Sequence, residues 1–254
     1  MESKRLEKKK KKKEWFSDWF NSPYYHILYK NRDFAEAEKF IDSLCNYFCM
    51  SNTDRIADMA CGQGRHAIYL NAKGCQVTGY DLSLKNITFA SDYSNKRLDF
   101  IVHDMRRKFA ISSFDYVLNL FTSFGYFKAS TDDISALHAF RLALKPSGKI
   151  IIDFMNTPKI MSQLIPYESK CVDGIHFEII KTVDDGFINK FISFEANNKR
   201  YDFVEQVKIL QLTDFINYFD LVGLKIKEVF GNYQLHSYDP DISERMIFIL
   251  ENKI

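Results

Sequence analysis

A chain of 254 residues, 46% hydrophobic and 27% charged, can bury a large core and suits one domain carrying an insertion. The formal net charge of +2 is unevenly placed: the first fourteen residues hold eight basic and three acidic side chains, which leaves the rest at −3, with no sign of a nucleic-acid surface. Five cysteines without a CxxC pair argue against zinc and a disulfide framework, no apolar run is long enough for a membrane span, and the basic N-terminus lacks the apolar stretch of a secretory signal, so a cytoplasmic setting is expected.

Residues 1–14 carry a run of like charge and no apolar periodicity, which predicts a solvated, disordered tail; the alternative is a handle for anionic lipid or RNA. Aromatics crowd from Trp15 to Tyr29. Asp33 with Glu36 reads as a capping box, opening a helix whose stripe is Ala37, Phe40, Ile41, Leu44, Cys45 and Phe48. Strands are then expected at 55–59, 75–80, 98–103, 114–120 and 148–154, and helices at 65–73, from Ser83, and at 131–144. This alternation predicts a doubly wound parallel α/β sheet with helices on both faces. After Asn156 the pattern changes. Residues 175–180, the Asp184-Asp185-Gly186 turn and residues 187–194 read as a hairpin, with a third strand at 201–210. A helix near 213–221 and strands near 225–230 and 245–251 finish the chain. The expected organisation is a main domain of 15–156 and 211–254 with an antiparallel insertion, 157–210, serving as lid or dimer surface.

The segment that carries chemistry runs from Asp58 through Gly62 and Gly64 to His66, at a strand-to-helix junction. The glycines let the backbone approach a ligand, and the helix N-terminus behind them favours a carboxylate. Asp81 ends the second strand, where a carboxylate can grip both ribose hydroxyls, and Asp104 ends the third, within reach of an adenine amino group. Each aspartate could equally cap a helix or form a turn. The rival dinucleotide fingerprint tolerates Ala67 at its last glycine but leaves Asp58 and the final strand pair unexplained.

The segments DMACGQGRHA (58–67), GYDLS (79–83), HDM (103–105), FDYVLNLFTSFGYF (114–127) and LKPSGKIIIDF (144–154) resemble class I S-adenosylmethionine (SAM)-dependent methyltransferases. The resemblance extends over nearly all of the chain after residue 15 and is greatest to bacterial small-molecule enzymes with a GRHA-type first motif. It implies a seven-stranded, mostly parallel sheet, with SAM as cofactor and S-adenosylhomocysteine as product. It also implies that Asp58, Ala60, Gly62 and Gly64 hold the methionyl end. Asp81 would bind the ribose, Leu82 would pack on adenine, and Asp104 and the Met105 N–H would read its edge. Asn119 and Leu120 would lie beside the methyl donor. Where the family has an acid in an N-terminal YDxxY element, this chain has His26 between Tyr25 and Tyr29.

Aromatic faces suit a methylsulfonium, which makes Tyr24, Tyr25, Phe121 and Tyr126 candidates to line the pocket, with Tyr25 also a catalytic candidate. Among the candidate bases His26, His138 and His236, the position of His236 in a late loop is the most base-like. His66 and His138 are read as packing residues, Cys45 and Cys49 as core, and Arg245 as half of a surface or interface ion pair. The expected function is methyl transfer to N or O of a small-molecule acceptor. The alternatives are an RNA-base methyltransferase or a non-catalytic SAM-binding regulator. A homodimer is a further expectation; a nucleic-acid or membrane partner is not.

Overall fold

The structure, a computed structural model, describes residues 14–30 and 34–253; the basic stretch 1–13 and the expected Asp33 cap lie outside the described residues. The aromatic N-terminal segment forms two short helices, α1 (Trp15–Trp19) and α2 (Pro23–Leu28), ahead of α3 (Phe34–Phe48). Pro23 opens α2, where its fixed φ suits the first turn and its missing N–H costs nothing, and Ser22 caps it by accepting from Tyr24 N–H at 3.2 Å. The predicted alternation follows as β1 (Arg55–Met59), α4 (Arg65–Ala72), β2 (Gln76–Asp81), α5 (Leu84–Ser91), β3 (Leu98–Val102), β4 (Phe114–Asn119), α6 (Ser130–Ala143) and β5 (Leu144–Met155). Ser83 ends the approach to α5 by accepting from Asn86 N–H at 3.0 Å.

Beyond β5 come α7 (Thr157–Ser162), β6 (Tyr167–Val172), β7 (Ile175–Asp184), β8 (Phe187–Ala196), β9 (Lys199–Lys208), α8 (Leu212–Leu221), β10 (Leu224–Phe230) and β11 (Arg245–Asn252). Seven strands form one sheet in the order β10-β11-β5-β4-β1-β2-β3. β1 to β5 pair in parallel, and β11 is antiparallel to both its neighbours. Helices cover both faces, which is why Ile150, Ile151, Ile152 and Phe154 of β5 are all fully buried. The strand order reverses at β1 and β4, the switch point where open α/β sheets bind ligands.

The insertion is a four-stranded antiparallel sheet, β6-β7-β8-β9, with one strand more than the pattern predicted. β6 is missed because nearly every position is exposed or half-buried, so no period-two signal exists. The hairpins turn on Asp185-Gly186 (φ 49° and 75°) and on Asn197-Asn198 (φ 52° and 58°), residue types that tolerate the left-handed region. The α1 and α2 helices lie on this sheet's inner face: Trp19 and Leu28 share a buried cluster with Phe177, Ile179, Ile192 and Phe194. A buried Lys208–Asp133 ion pair ties the end of β9 to α6. Cys45 is buried as expected, whereas Cys49 lies past the end of α3 and is exposed. Among the described residues, no helix is long and apolar enough to cross a membrane.

Candidate functional site

β1 ends in the loop Ala60–Gly64, which turns directly into α4. Ala60, Gly62 and Gly64 all have positive φ (60°, 57° and 84°), and the Cys61 N–H bonds to Tyr80 O at 3.0 Å, so the loop is drawn over the end of β2. The two glycines are needed for different reasons. A Cβ on Gly62 would meet nothing within 4 Å, and Gly62 lines a cavity of about 630 Å³. A Cβ on Gly64 would come within 2.7 Å of the Phe100 ring; Gly64 serves close packing of helix on sheet and does not line that cavity.

Asp58 sits at the bottom of this cavity, 1% exposed, and its Oδ2 has no hydrogen-bond partner. Burial raises its pKa to about 7; the Arg65 charge opposes the shift and the Asp81 charge adds to it. Asp81 accepts from Gly62 N–H at 2.9 Å and from Ser83 N–H at 2.8 Å, one bond to each oxygen. Burial raises its pKa despite these bonds. Arg65, the first residue of α4, lines the same wall and lays its guanidinium over the Phe121 ring at 4.2 Å.

A smaller cavity of about 70 Å³ adjoins the first and shares Phe20, Ala60, Asp81, Ser123 and Tyr126 with it. It is bordered by Leu82, Asp104 and Met105, the residues expected around an adenine. Asp104 is not free for a ligand alone: Arg106 binds both its oxygens, at 2.7 to 3.2 Å, and also pairs with Glu14 at 2.9 Å. Burial pushes the Asp104 carboxyl up, but the Arg106 bonds more than offset this and hold it below the usual range.

The loop after β4 forms the third wall. Phe121 and Thr122 both adopt left-handed φ (65° and 56°), which is costly for such residues and must be held in place. Asp153 of β5 holds it. Its Oδ2 accepts from Phe121 N–H at 2.7 Å and from the Tyr233 hydroxyl at 3.2 Å, and its carbonyl accepts from Thr122 N–H at 2.9 Å. Arg245 of β11 donates to Asp153 Oδ1 at 2.7 Å and to Thr122 Oγ1 at 2.8 Å. Instead of the expected surface or interface ion pair, Arg245 makes a partly buried clamp at the cavity wall, because β11 places it directly opposite the end of β5.

The fourth wall comes from α1, α2 and the inserted sheet: Trp15, Phe20, Tyr25, Tyr29, Lys190, Glu205. Tyr25, Phe121 and Tyr126 line the cavity as expected; Tyr24 instead packs on Phe194 and Tyr201 of the insertion. Leu120 reaches the cavity, but Asn119 is fully buried beneath it, donating to Met59 O at 3.1 Å. His236 does not reach it. Its ring is exposed, pairs with Asn232 at 3.0 Å and lines no part of either cavity, since the β10–β11 connection turns inward at Tyr233 instead. His26 and His66 do line the larger cavity; burial lowers the pKa of both, that of His66 to about 3. His138 is exposed on α6. Sequence reasoning assigned no site role to Arg65, Asp153, Lys190 or Glu205. The last two carried a signal, being charged residues at the inward phase of alternating strands.

A seven-stranded sheet of this order, with a glycine loop and aspartates at the ends of β1 and β2, defines the class I SAM-dependent methyltransferase fold. Residues 56–148 match the methyltransferase domain family model. "Putative methyltransferase YqeM" of Bacillus subtilis (strain 168) is 36% identical over 109 residues, 42% of this chain and 44% of that protein. The chain spans about half the length of the curated relatives it matches. Among solved structures, a SAM-dependent methyltransferase from Clostridium acetobutylicum ATCC 824 superposes with a TM-score of 0.77 at 20% identity, covering 91% of this chain and 96% of that one. SAM-bound CalS10, an amino pentose methyltransferase from Micromonospora echinaspora, gives 0.70 at 16% identity, covering 91% and 98%.

Proposed function

We propose that the whole protein is a SAM-dependent methyltransferase acting on an N or O atom of a small molecule. The observation that carries this reading is the unpartnered, buried Asp58 oxygen at the base of a cavity whose other end opens on an aromatic and charged wall. A buried carboxylate oxygen without a partner is costly, and a ligand ammonium beside it would relieve that cost. Asp58 would hold the methionyl amine, with the Ala60–Gly64 loop and the start of α4 receiving the carboxylate. Asp81 would accept from the ribose hydroxyls, and Leu82, Asp104 and Met105 would bound the adenine.

Bound SAM would supply a methyl group on a sulfonium, already activated for in-line displacement. The chain's own task is then to align and to exclude water. The Asp153–Arg245 clamp fixes the Phe121-Thr122 backbone, and the inserted sheet with α1 and α2 closes the opposite side. Such alignment is worth roughly 7–11 kcal/mol in well-oriented systems. The likeness to an amino pentose methyltransferase is consistent with a small acceptor.

Calorimetry with SAM and S-adenosylhomocysteine tests the donor half of the reading, and methylation of a metabolite extract tests the acceptor half. Asp81→Ala should weaken SAM by about 1.5–3 kcal/mol for each charge-assisted bond removed. Unchanged affinity would reduce Asp81 to a loop-forming residue, and absence of SAM binding by the wild-type protein would overturn the reading.

A further inference from the structure

Glu205 and Lys190 stand directly opposite each other on β9 and β8, on the face that otherwise buries Ile192 and Phe194 and packs Phe203 against them. Glu205 gathers contacts from three elements. Its Oε1 accepts from Trp19 Nε1 at 2.5 Å and from the Tyr29 hydroxyl at 2.7 Å, and that hydroxyl lies 2.9 Å from Oε2. Lys190 Nζ is 3.4 Å from Glu205 Oε2, donates to the Tyr29 oxygen, and lies 4.6 Å from the centre of the Tyr29 ring. Tyr29, Lys190 and Glu205 line the same cavity as Asp58 and Gly62.

We propose that this cluster receives an amine acceptor and takes up its proton, with Tyr29 contacting the amine and Glu205 storing the proton. The inference rests on the methyltransferase reading and narrows its acceptor to nitrogen. An amine in neutral water is an ammonium and has no lone pair with which to attack. The proton moves to the Tyr29 oxygen as the Tyr29 proton moves to Glu205, leaving a neutral amine. The amine nitrogen then bonds to the methyl carbon, and the sulfur keeps the electron pair of the bond that breaks. Glu205 later returns the proton to solvent.

Two physical points favour an amine over an alcohol. A carboxylate is far too weak a base for an aliphatic hydroxyl, whereas an ammonium can lose its proton before the transfer step. A carboxylate in a cavity that Trp15, Phe20 and Tyr25 also line attracts a cation, and the Lys190 ammonium on the Tyr29 ring shows that this corner accommodates one. Trp19 and Tyr29 are thus positioning groups for Glu205, and Lys190 flanks it at 3.4 Å. Other charged or titratable groups near it on the surrounding elements include Tyr25, His26 and Lys30 on the α2 side, and Lys181 on β7, which stands opposite Lys190 and pairs with Glu168. Arg65, Asp58, Asp81 and Arg245 line the remaining walls.

The test uses the full chain, methyl-labelled SAM and a bacterial metabolite extract split by cation exchange at pH 5. Label is expected in the retained, amine-bearing fraction. With that fraction as acceptor, Glu205→Gln and Tyr29→Phe should bind SAM with wild-type affinity by calorimetry and transfer at least tenfold more slowly at pH 7. The deficit should shrink as the pH rises toward 9.5, where the amine deprotonates unaided, and Glu205→Asp should recover part of it. A deficit equal at every pH, wild-type rates in both variants, or label confined to the unretained fraction would overturn the inference. SAM binding without transfer into any fraction would overturn the methyltransferase reading and this inference with it.

Discussion

Asp58 lies at the end of a strand that all folds of this class need, yet its environment separates it from an ordinary surface carboxylate. Its pKa is raised by burial from 3.8 to about 7. Between these values the native protein holds a proton that the unfolded chain has released. Stability therefore falls as the pH rises through that window, by up to about 4 kcal/mol for a shift of this size. A ligand ammonium favours the ionised form, so SAM should bind with proton release below pH 7 and more tightly as the pH approaches 8. Asp58→Asn is expected to reduce the pH slope by the Asp58 share, raise the melting temperature at pH 8 and abolish tight SAM binding. Calorimetry in buffers of different ionisation enthalpy measures the released proton; no dependence on buffer would separate Asp58 from the amine. Position along the chain marked Asp58 as a site residue. That its Oδ2 is left unpaired follows from what the rest of the fold fails to place beside it.

At the scale of elements, the insertion is held at both ends by polar contacts, one exposed and one buried. At its far end the Lys30–Asp173 pair is exposed at 2.8 Å, and pairs of that kind contribute little. At its base Lys208 and Asp133 are both buried, and burial first, offset by Lys208, leaves Asp133 with a pKa of about 6. Lys208→Met should cost about 3–5 kcal/mol at pH 8, because it leaves a buried carboxylate without its cation. The loss should be smaller at pH 5, where Asp133 takes up a proton in the native state. Denaturant titrations at the two pH values check this, and an equal loss at both would mean that packing of the lysine stem dominates. The turns of this insertion were legible from Asp185-Gly186, because residue type alone sets the sign of φ there. Its edge strand β6 was not, because an exposed strand needs no periodic pattern.

At the scale of the molecule, the first anchors are Phe16, which is buried, and Glu14, which pairs with Arg106. Removal of residues 1–13, with Glu14 kept, should leave the melting temperature and SAM affinity unchanged. A drop in either, followed by scanning calorimetry and by titration with SAM, would give the basic stretch a structural part. Salt-sensitive RNA binding by the intact chain alone would reopen the alternative acceptor.

The sequence by itself determined the alternation of strands and helices from β1 to β5, the loop at Gly62, and the aspartates at the ends of β1 and β2 and after β3. These are local: periodicity, capping and turn chemistry act over a few residues, and the sheet rules then leave few topologies. Tertiary structure alone decided which distant side chains meet. Lys190 and Glu205 face Tyr29 only because α1 and α2 fold back onto the inserted sheet. Arg245 becomes a clamp only because β11 runs antiparallel to β5. Tyr233, and not His236, turns toward the cavity because its hydroxyl reaches Asp153 at 3.2 Å while its ring stacks on Phe40 at 4.4 Å. Contacts of this kind join residues 80 or more positions apart, and no local pattern encodes them; they are fixed when the layers pack and each buried polar group must find a partner.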